Sequence, residues 1–285
     1  MRRLLALLLV LALAGCGGSS GGGKSSSGSS CDKGDLNLVN AGRLTVGTDN
    51  PAYPPWFGGN EKAPWKVSDP RSGEGFESAV AYAVAKQLGF AKNEVEWVVV
   101  PFNTSFAPGP KKFDFDINQI SFKPERAKAV AFSNSYYNVN QALVVVKGTK
   151  IAGAKSIADL KPYKLAAQIG TTSYDFIKDT IQPSKQPSVF DTNDAAVQAL
   201  KNKQVDGLVV DLPTAFYVTA VQVPNGTILG QFESTTGEHF GMVFAKGNSL
   251  VKCVNDALAT LKSNGTLQQI QDKWLAKVGG APVLK

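Results

Sequence analysis

The sequence predicts an α/β protein whose chain is organised as two blocks of alternating strands and helices. Short apolar runs with strand character alternate with longer amphipathic or Ala-rich segments with helical periodicity. Such alternation is typical of sheets whose strands are joined by right-handed crossover connections. The pattern covers about 32–140, restarts near 141, continues to 237, and is followed by a return segment. The folded part of the 285-residue chain is long enough for one large domain or two lobes.

The first block begins with a predicted strand and a loop over 50–57, which holds three prolines. An Ala-rich helix is predicted next, because the apolar residues Val80, Ala83, Val84 and Leu88 share one helical face. Two further strands complete the block. The predicted bounds are 43–48, 94–100 and 113–120 for the strands and 76–88 for the helix.

The second block contains a nearly continuous apolar run at 205–210, which is typical of a strand covered on both faces. Thr192 or Asn193 provides an N-cap for the preceding helix, and Pro213 stands at an early position of the following one. The return segment adds a strand and two amphipathic helices, separated at Asn264-Gly265. The predicted strands cover 141–147, 164–169, 187–190, 205–210, 227–232 and 240–246, and the helices cover 193–202, 250–261 and 266–278.

The N-terminal residues predict a targeting segment followed by a tether. A basic start and a short apolar run end at Leu13-Ala14-Gly15-Cys16, which matches the bacterial lipoprotein signal. We therefore expect a signal peptide over 1–15 and an acylated Cys16, with an ordinary cleaved signal as the alternative. The rest of 16–30 is almost only Gly and Ser, as in a flexible linker. The protein is then expected outside the cytoplasm, in the periplasm or on the outer face, anchored to the cell membrane by lipid.

The cysteine count predicts a disulfide, and the charge and residue pattern give no sign of a nucleic-acid, metal or cofactor site. With Cys16 acylated, Cys31 and Cys253 remain as an even pair in an oxidising compartment, which predicts a disulfide; two unrelated thiols are the alternative. The formal net charge of +7 falls to +5 (7 − 2) without Arg2 and Arg3. The lysines are scattered, so no nucleic-acid surface is predicted. Because no His/Cys cluster occurs, neither a metal site nor a cofactor is predicted.

The stretch from Asn118 to Ser133 carries the main functional signal. A predicted strand ends there in small polar residues, and Pro124 is suited to start the short helical turn that holds Arg126. Ligands of open α/β sheets bind beyond the carboxyl ends of the strands, which is where this arginine falls. A guanidinium fork matches a carboxylate, while a surface arginine on a short helix is the alternative interpretation.

The motifs in and just after this stretch resemble those of the polar amino-acid family of bacterial extracellular solute-binding proteins, in their lipoprotein form. These proteins are the receptors of ABC importers. The matching residues are Glu125-Arg126, Phe132-Ser133 and Tyr136-Tyr137. Further matching motifs are Gly75-Phe76-Glu77, Asp206-Gly207, Asn264-Gly265-Thr266 and Lys273-Trp274. The resemblance implies two Rossmann-like lobes joined by two crossing strands, the type II periplasmic-binding-protein or Venus-flytrap architecture. It assigns 31–140 plus 238–285 to the first lobe and 141–237 to the second.

The resemblance also implies partners for the two charged ends of a free amino acid. The ligand carboxylate is expected to contact Arg126, Thr172 and Ser121, and the ammonium is expected to contact Asp211, the Gln119 carbonyl and Ser121. The segment 170–173 follows a predicted strand and opens a helix, so its amide groups and the helix dipole favour an anion. Gln119 departs from the family, in which a Gly or small residue is usual at this position.

The resemblance places the ligand side chain in a pocket whose walls are formed by Asp49, Tyr53, Trp56, Phe102 and Gln168. The aromatic residues offer flat apolar surface, and the aspartate offers an acceptor. For Trp56, a place in the lobe core is the alternative. None of these positions holds a Lys or Arg that would match an acidic side chain. The order of predicted ligands is therefore neutral polar amino acids such as glutamine, then cationic ones, then glutamate or aspartate.

The predicted function is that of a binding protein rather than an enzyme. It captures a free polar amino acid in the interlobe cleft, closes around it by a hinge movement, and delivers it to a membrane permease while acting as a monomer. The alternative is an enzyme on the same scaffold, such as a cyclohexadienyl dehydratase-like protein. His239 is the single histidine and no Gly-x-Ser-x-Gly elbow occurs outside the Gly/Ser linker, which argues against hydrolytic chemistry.

Overall fold

The computed structural model describes residues 30–234, 237–276 and 280–285 and contains two five-stranded sheets. Each sheet mixes parallel and antiparallel pairs, and the strands are interspersed with helices, so the predicted α/β class is confirmed. The predicted signal peptide, Cys16 and nearly all of the Gly/Ser linker lie outside the described residues. Within the described ranges, no helix has both the length and the apolar character needed to cross a bilayer.

The first sheet consists of β1 (Leu44–Thr48), β2 (Val95–Val99), β3 (Phe115–Asp116), β4 (Val130–Phe132) and β12 (Val243–Ala245), in the spatial order β2-β1-β3-β12-β4. Strand β1 pairs in parallel with β2 and β3, whereas β12 is antiparallel to β3 and β4. Residues of α1 (Phe76–Gln87), α7 (Leu250–Ser263) and α8 (Thr266–Leu275) join β1 in the apolar core of this lobe. Helix α1 buries Val80, Ala81 and Val84 there, because these residues recur at helical spacing.

The second sheet consists of β6 (Gln141–Val146), β7 (Leu165–Gln168), β8 (Ser188–Phe190), β9 (Gly207–Asp211) and β10 (Gly226–Phe232), in the order β10-β6-β9-β7-β8. Its helices are α4 (Thr172–Phe176), α5 (Asn193–Lys201) and α6 (Leu212–Tyr217). The apolar run of β9 is buried on both faces: Leu208 and Val210 enter one core, and Val209 enters the other. This explains why that run does not alternate with polar residues.

The two lobes are connected by β5 (Tyr137–Asn138) and β11 (His239–Phe240), which form a short antiparallel ladder. Phe240 and Tyr136 are buried in the first-lobe core, so the ladder is anchored firmly on that side. Two short helices, α2 (Phe102–Ser105) and α3 (Pro124–Ala129), follow the carboxyl ends of β2 and β3. They bring polar residues to the edge of the first sheet that faces the second lobe.

Two predicted strands are longer than those observed. The strand predicted over 113–120 is reduced to β3, because the chain leaves the ladder and adopts a left-handed conformation at Gln119, with φ of 48°. The strand predicted over 240–246 is divided into β11 and β12 at Gly241, whose amide donates to the Ile120 carbonyl at 3.1 Å. Both departures occur where the chain passes from a sheet to the region between the lobes.

The C-terminal residues lie on the second lobe, so the expected assignment of all of 238–285 to the first lobe is wrong at its end. Val283 pairs in parallel with Gln231 of the edge strand β10, and the Lys285 carbonyl accepts from the Ile157 amide at 2.9 Å. Leu284 is buried in the second-lobe core. An edge strand offers unpaired backbone groups, and this C-terminal segment satisfies some of them.

Cys31 and Cys253 form a disulfide that ties the start of the described chain to α7, with 5.4 Å between their Cα atoms. The predicted pairing is therefore present in the structure. Cys253 is buried in the first-lobe core, whereas Cys31 is only partly covered. The link closes a loop of 222 residues in sequence separation, which constrains the unfolded chain strongly in the loop-entropy account.

Reducing this disulfide is expected to lower the free energy of unfolding by about 2–5 kcal/mol, because the unfolded chain gains conformational freedom. The measurement is urea unfolding of the mature protein with and without a reductant. Cys31→Ser is the matched control, since its unfolding should not respond to the reductant. An unchanged urea midpoint for the reduced parent would contradict the prediction.

Candidate ligand-binding site

A cavity of about 180 Å³ lies between the two lobes and is lined by residues of both. It brings together all ten residues that the sequence predicts for ligand contact. From the first lobe these are Asp49, Tyr53, Trp56, Phe102, Gln119, Ser121 and Arg126, and from the second lobe they are Gln168, Thr172 and Asp211. Many of them follow the carboxyl ends of strands, which face each other across the cleft as in other open α/β sheets.

Arg126 is a buried cation that reaches both lobes. Its side chain is 7% exposed, and the guanidinium donates to the Ser121 carbonyl at 2.6 Å and to the Gly170 carbonyl of the second lobe at 2.7 Å. The rings of Phe106 and Phe102 lie 4.3 and 5.6 Å from it. Burial lowers the pKa of Arg126 to about 10, so it stays charged at neutral pH. Its hydrogen-bonded partners are neutral, which leaves the charge available to an anion.

Two hydroxyl groups meet beside this guanidinium. Ser121 Oγ of the first lobe lies 3.3 Å from Thr172 Oγ1, at the start of α4 in the second lobe. Thr171 caps the helix by accepting from the Tyr174 amide at 3.2 Å. The Ser173 hydroxyl donates to Gln141 Oε1 at 2.6 Å, so this turn is fixed to the adjacent strand β6. The predicted contacts of the ligand carboxylate are thus grouped in one place.

Asp211 lies at the end of β9 and lines the cavity from the second lobe. Gln141 Nε2 donates to it at 2.8 Å. The same nitrogen lies 3.2 Å from both carboxylate oxygens of Glu238, and Ser121 Oγ donates to Glu238 at 2.7 Å. Burial raises the pKa of Asp211 well above its ordinary value, and the neighbouring Glu238 charge raises it further. A cation placed beside Asp211 would favour its ionised form.

Glu238 and Gln141 were not predicted from the sequence as part of this arrangement. Glu238 directly precedes the crossing strand β11, where a polar residue has an ordinary structural explanation. Gln141 is the first residue of an apolar strand and resembles an ordinary strand start. Only the fold brings both of them to Asp211, since they are far apart in the sequence.

Two further acids, Asp49 and Asp194, also line the cavity. The carboxylate of Asp49 accepts from the amides of Asn50 and Phe102 at 2.7 and 3.2 Å. Tyr53 donates its hydroxyl to Asp194 of the second lobe, which also accepts from Gln222 at 3.2 Å. Burial raises the pKa of Asp49, and the Asp194 charge contributes to the increase.

Asp194 is a cavity residue that the sequence analysis missed. It stands in the first turn of α5, just after the N-cap Thr192, where an acidic residue is ordinarily favoured by the helix dipole. Because this local role at the helix start explains the aspartate by itself, nothing in the sequence indicated that Asp194 lies in the cavity. The contact with Tyr53, on a loop of the other lobe, is what identifies it as part of the site.

The predicted aromatic wall residues serve the structure in different ways. Trp56 is 1% exposed and packs edge-on against Phe76 and Phe240, yet its indole nitrogen donates to Thr214 Oγ1 of the second lobe at 2.9 Å. It therefore belongs to both the core and the cavity. The ring of Phe102 supports the Arg126 guanidinium. Tyr53 packs against Tyr217 with 5.6 Å between ring centroids, which closes one side of the cavity.

Two fully buried acids stand behind the first-lobe wall. Glu77 accepts from the Gln119 amide at 2.7 Å, from the Gln119 side-chain amide and from the Tyr136 hydroxyl; burial raises the pKa of Glu77 to about 7. Both oxygens of Asp116 lack a hydrogen-bond partner among the described residues. Burial raises the pKa of Asp116 well above 3.8, and repulsion from Glu77 and Asp49 adds to this. Burial without a hydrogen-bond donor among these residues therefore favours the neutral form of the Asp116 carboxyl.

No group of three or more His, Cys, Asp or Glu side chains suited to a metal ion occurs in the part of the chain that the structure describes. The chemistry of the cavity is instead that of fixed charges and hydrogen-bonding groups. One arginine and three aspartates line it, together with the hydroxyl and amide groups described above. Such a site can bind a small charged molecule by pairing each of its ends.

Two sheet-containing lobes, a short crossing ladder and a charged cavity between them define the type II periplasmic-binding-protein fold. The chain belongs to the bacterial extracellular solute-binding proteins, family 3, whose family model matches residues 44–277. The resemblance noted from the sequence motifs is thus confirmed. The L-cystine-binding protein TcyJ of Escherichia coli strain K12 is 31% identical over 261 residues, covering 90% of each chain.

Solved structures show the same relationship. An ancestral arginine-binding protein bound to glutamine has a TM-score of 0.66 and 33% identity, covering 82% of this chain and 97% of that one. The ancestral amino acid-binding protein AncCDT-1, a precursor of cyclohexadienyl dehydratase, has a TM-score of 0.64 and 31% identity, covering 82% and 95%. The fold and its cleft are therefore shared with amino-acid-binding proteins.

Asp116→Asn is expected to change how stability depends on pH. The carboxyl has a raised pKa in the folded state, so the unfolded chain ionises first as the pH rises above about 4. Stability of the parent should therefore fall, relative to the variant, from that pH up through the raised pKa. Urea unfolding of both proteins between pH 4 and pH 8 measures this. Asp179→Asn, at an exposed position, is the control, and parallel curves for parent and Asp116→Asn would contradict the prediction.

Proposed function

We propose that this protein is the substrate-binding lipoprotein of an ABC importer, which captures one free amino acid between its lobes and delivers it to a membrane permease. The observation that carries the proposal is the pairing of opposite charges across one cavity. Arg126 of the first lobe and Asp211 of the second both line it. A free amino acid has one group to match each of them, and burying either of its charges unpaired would be costly.

The ligand carboxylate is assigned to the group around Arg126. The guanidinium is buried, charged and bonded only to carbonyl groups, which supports an additional charge-assisted hydrogen bond to an anion. Thr172 offers a hydroxyl donor beside it, and the Ser121 hydroxyl, which donates to Glu238 in this structure, lies 3.3 Å from that of Thr172. Because Thr172 and Gly170 belong to the second lobe, a carboxylate bound here links both lobes, which favours the closed arrangement.

The ligand ammonium is assigned to Asp211, the Gln119 carbonyl and the Ser121 hydroxyl. Burial and the neighbouring Glu238 raise the pKa of Asp211, and an ammonium group beside it would favour the ionised carboxylate and form an ion pair with it. Glu238 shares the Gln141 donor with Asp211 and adds negative potential at this end. The end of the cavity near Asp211 therefore favours a cation electrostatically.

The charge of the cavity wall supports a cationic side chain on the ligand. Arg126 and Asp211 match the zwitterionic head, and Asp49 and Asp194 remain on the wall. A guanidinium or amine at the end of the side chain would neutralise this excess. We therefore rank arginine-like and lysine-like ligands before glutamine, which reverses the order expected from the sequence, because Asp194 adds a negative charge that the sequence did not place in the cavity.

Cystine ranks below these ligands, although a related protein of Escherichia coli is named for binding it. Its far end carries an ammonium and also a second carboxylate. Arg126 is the one Lys or Arg among the described residues that line the cavity, and it is assigned to the first carboxylate. A second buried carboxylate would then lie near Asp49 and Asp194 without a cation, which is unfavourable.

The hinge mechanism is supported by contacts that cross the cleft. Tyr53 donates to Asp194, Trp56 donates to Thr214, and Lys123 forms an ion pair with Asp175. Each contact joins a first-lobe residue to a second-lobe residue and is lost when the lobes separate. A ligand that bridges Arg126 and Asp211 adds to the same set, so its binding stabilises the closed state.

The lipid anchor at Cys16 and the tether over 16–30 complete the proposal. An acylated N-terminus would hold a monomeric receptor at the extracytoplasmic membrane surface, and the Gly/Ser segment would let it reach the permease. Mass spectrometry of the protein purified from its host tests this assignment. A mature chain beginning elsewhere, without an acyl group, would overturn it.

The alternative hypothesis, that the protein is an enzyme on the same scaffold, has fewer observations in its favour than the receptor proposal. It rests on the similarity to AncCDT-1 and on the raised pKa of Asp211, which would suit a proton donor. That relative is itself described as an amino acid-binding protein that preceded an enzyme. Incubation with prephenate or arogenate separates the two classes. Turnover would favour an enzyme, and saturable amino-acid binding without product favours the receptor.

Calorimetric titration of the ligand-free protein against the free amino acids tests the proposed function directly. Arg126→Ala is expected to weaken binding of the preferred amino acid at least about 30-fold, because removing one partner of a buried charge pair costs about 2–5 kcal/mol. Asp211→Asn should weaken binding for the same reason. Lys128→Ala, an exposed position on the same short helix α3, is the matched control. Tight binding by Arg126→Ala would refute the carboxylate assignment.

Asp194→Asn tests the proposed ligand charge. The variant keeps the shape of the side chain but loses its charge, so arginine or lysine should bind roughly 10- to 100-fold more weakly. Glutamine should bind within about threefold of the parent, since it places no cation near residue 194. Asp191→Asn, exposed and three residues earlier, is the control. Equal losses for arginine and glutamine would show that charge does not set the preference.

A further inference from the structure

Gln119 occupies an unusual backbone conformation at the wall of the cavity. Its φ of 48° lies in the left-handed region, which residues other than glycine adopt infrequently. It also lines the cavity, and its carbonyl accepts no hydrogen bond from the residues that the structure describes. A conformation of this kind persists only where the surroundings hold it.

Glu77 holds Gln119 at two points. One carboxylate oxygen accepts from the Gln119 backbone amide at 2.7 Å, and the other accepts from the Gln119 side-chain amide. Together they fix the peptide unit and the side chain of the same residue. A glycine at this position would need neither contact, because it adopts a positive φ without steric cost.

Glu77 is itself well placed to act as a fixed support. It lies in the first turn of α1 and is fully buried, and its own amide donates to the Trp56 carbonyl at 2.8 Å. Tyr136, also buried, donates its hydroxyl to the carboxylate. The carboxylate therefore has three donors around it, two of them from Gln119. A buried carboxylate with so many donors has little freedom to move.

We propose that Glu77 is a positioning residue for the ligand ammonium: it holds Gln119 in the left-handed conformation that directs the Gln119 carbonyl to the cavity. The proposal rests on the function proposed above, because it assumes an amino-acid ligand whose ammonium contacts that carbonyl. It adds a role for a residue that does not touch the ligand. It also explains how a long side chain is accommodated where a small residue is usual.

Four proteins test the proposal in a double-mutant cycle: the parent, Glu77→Gln, Gln119→Gly and the combination of both. Calorimetry measures their affinity for the amino acid that the parent binds. Glu77→Gln should weaken binding roughly tenfold, because one oxygen that accepts from Gln119 becomes a donor. Gln119→Gly removes the side chain but keeps the backbone carbonyl, and its measured affinity, whatever its value, is the reference for the second half of the cycle. In the glycine background Glu77→Gln should have almost no further effect.

Equal losses from Glu77→Gln in both backgrounds would overturn the positioning role, since a merely structural effect does not depend on residue 119. Absence of amino-acid binding by the parent would instead overturn the proposed function and this inference together. Gln119→Ala provides a second comparison that does not require Glu77→Gln to fold. It should bind roughly tenfold more weakly than Gln119→Gly, because alanine resists a positive φ. Equal affinity of the two would also overturn the proposal.

Discussion

The central constraint on this structure is the burial of one positive and one negative group, Arg126 and Asp211, in different lobes beside one cleft. Arg126 is buried against aromatic rings and neutral carbonyl groups, and burial and the neighbouring Glu238 raise the pKa of Asp211. Neither charge is fully compensated where it lies. A zwitterion in this cleft would pair both buried charges, whereas without it each charge has only partial compensation. The same ion pairs would therefore favour ligand binding and, in the proposed function, closure of the lobes.

The rest of the first lobe serves to keep this arrangement rigid. Glu77, in α1, accepts hydrogen bonds from Gln119 and from Tyr136, which directly precedes the crossing strand β5. Trp56 packs in the core and also donates to Thr214 of the second lobe. A movement of Gln119 would therefore disturb the core as well as the cavity. Rigid support of this kind is required if a few hydrogen bonds are to discriminate between small ligands of similar size.

The sequence alone located the residues whose position follows from local structure. Arg126 follows a strand and a proline-initiated turn, and Asp211 ends an apolar strand, so both fall at the sheet edge where ligands bind. Asp194 and Glu238 escaped notice because a first-turn acid and a polar residue before a strand have ordinary local explanations. The C-terminal segment on β10 was also missed, since pairing between residues 231 and 283 leaves no periodic signal in either stretch.

That C-terminal segment changes how the hinge is built. The chain passes from α8 in the first lobe to β10 in the second, and so adds a third connection to the two crossing strands. The end of α8 and the crossing strand β5 line one cavity, and Glu238 and residues 283–285 line the next. The crossing strands and the C-terminal segment thus lie next to one another. In the proposed hinge movement, these adjacent connections would define the axis about which the lobes rotate apart, and their pairing would be kept.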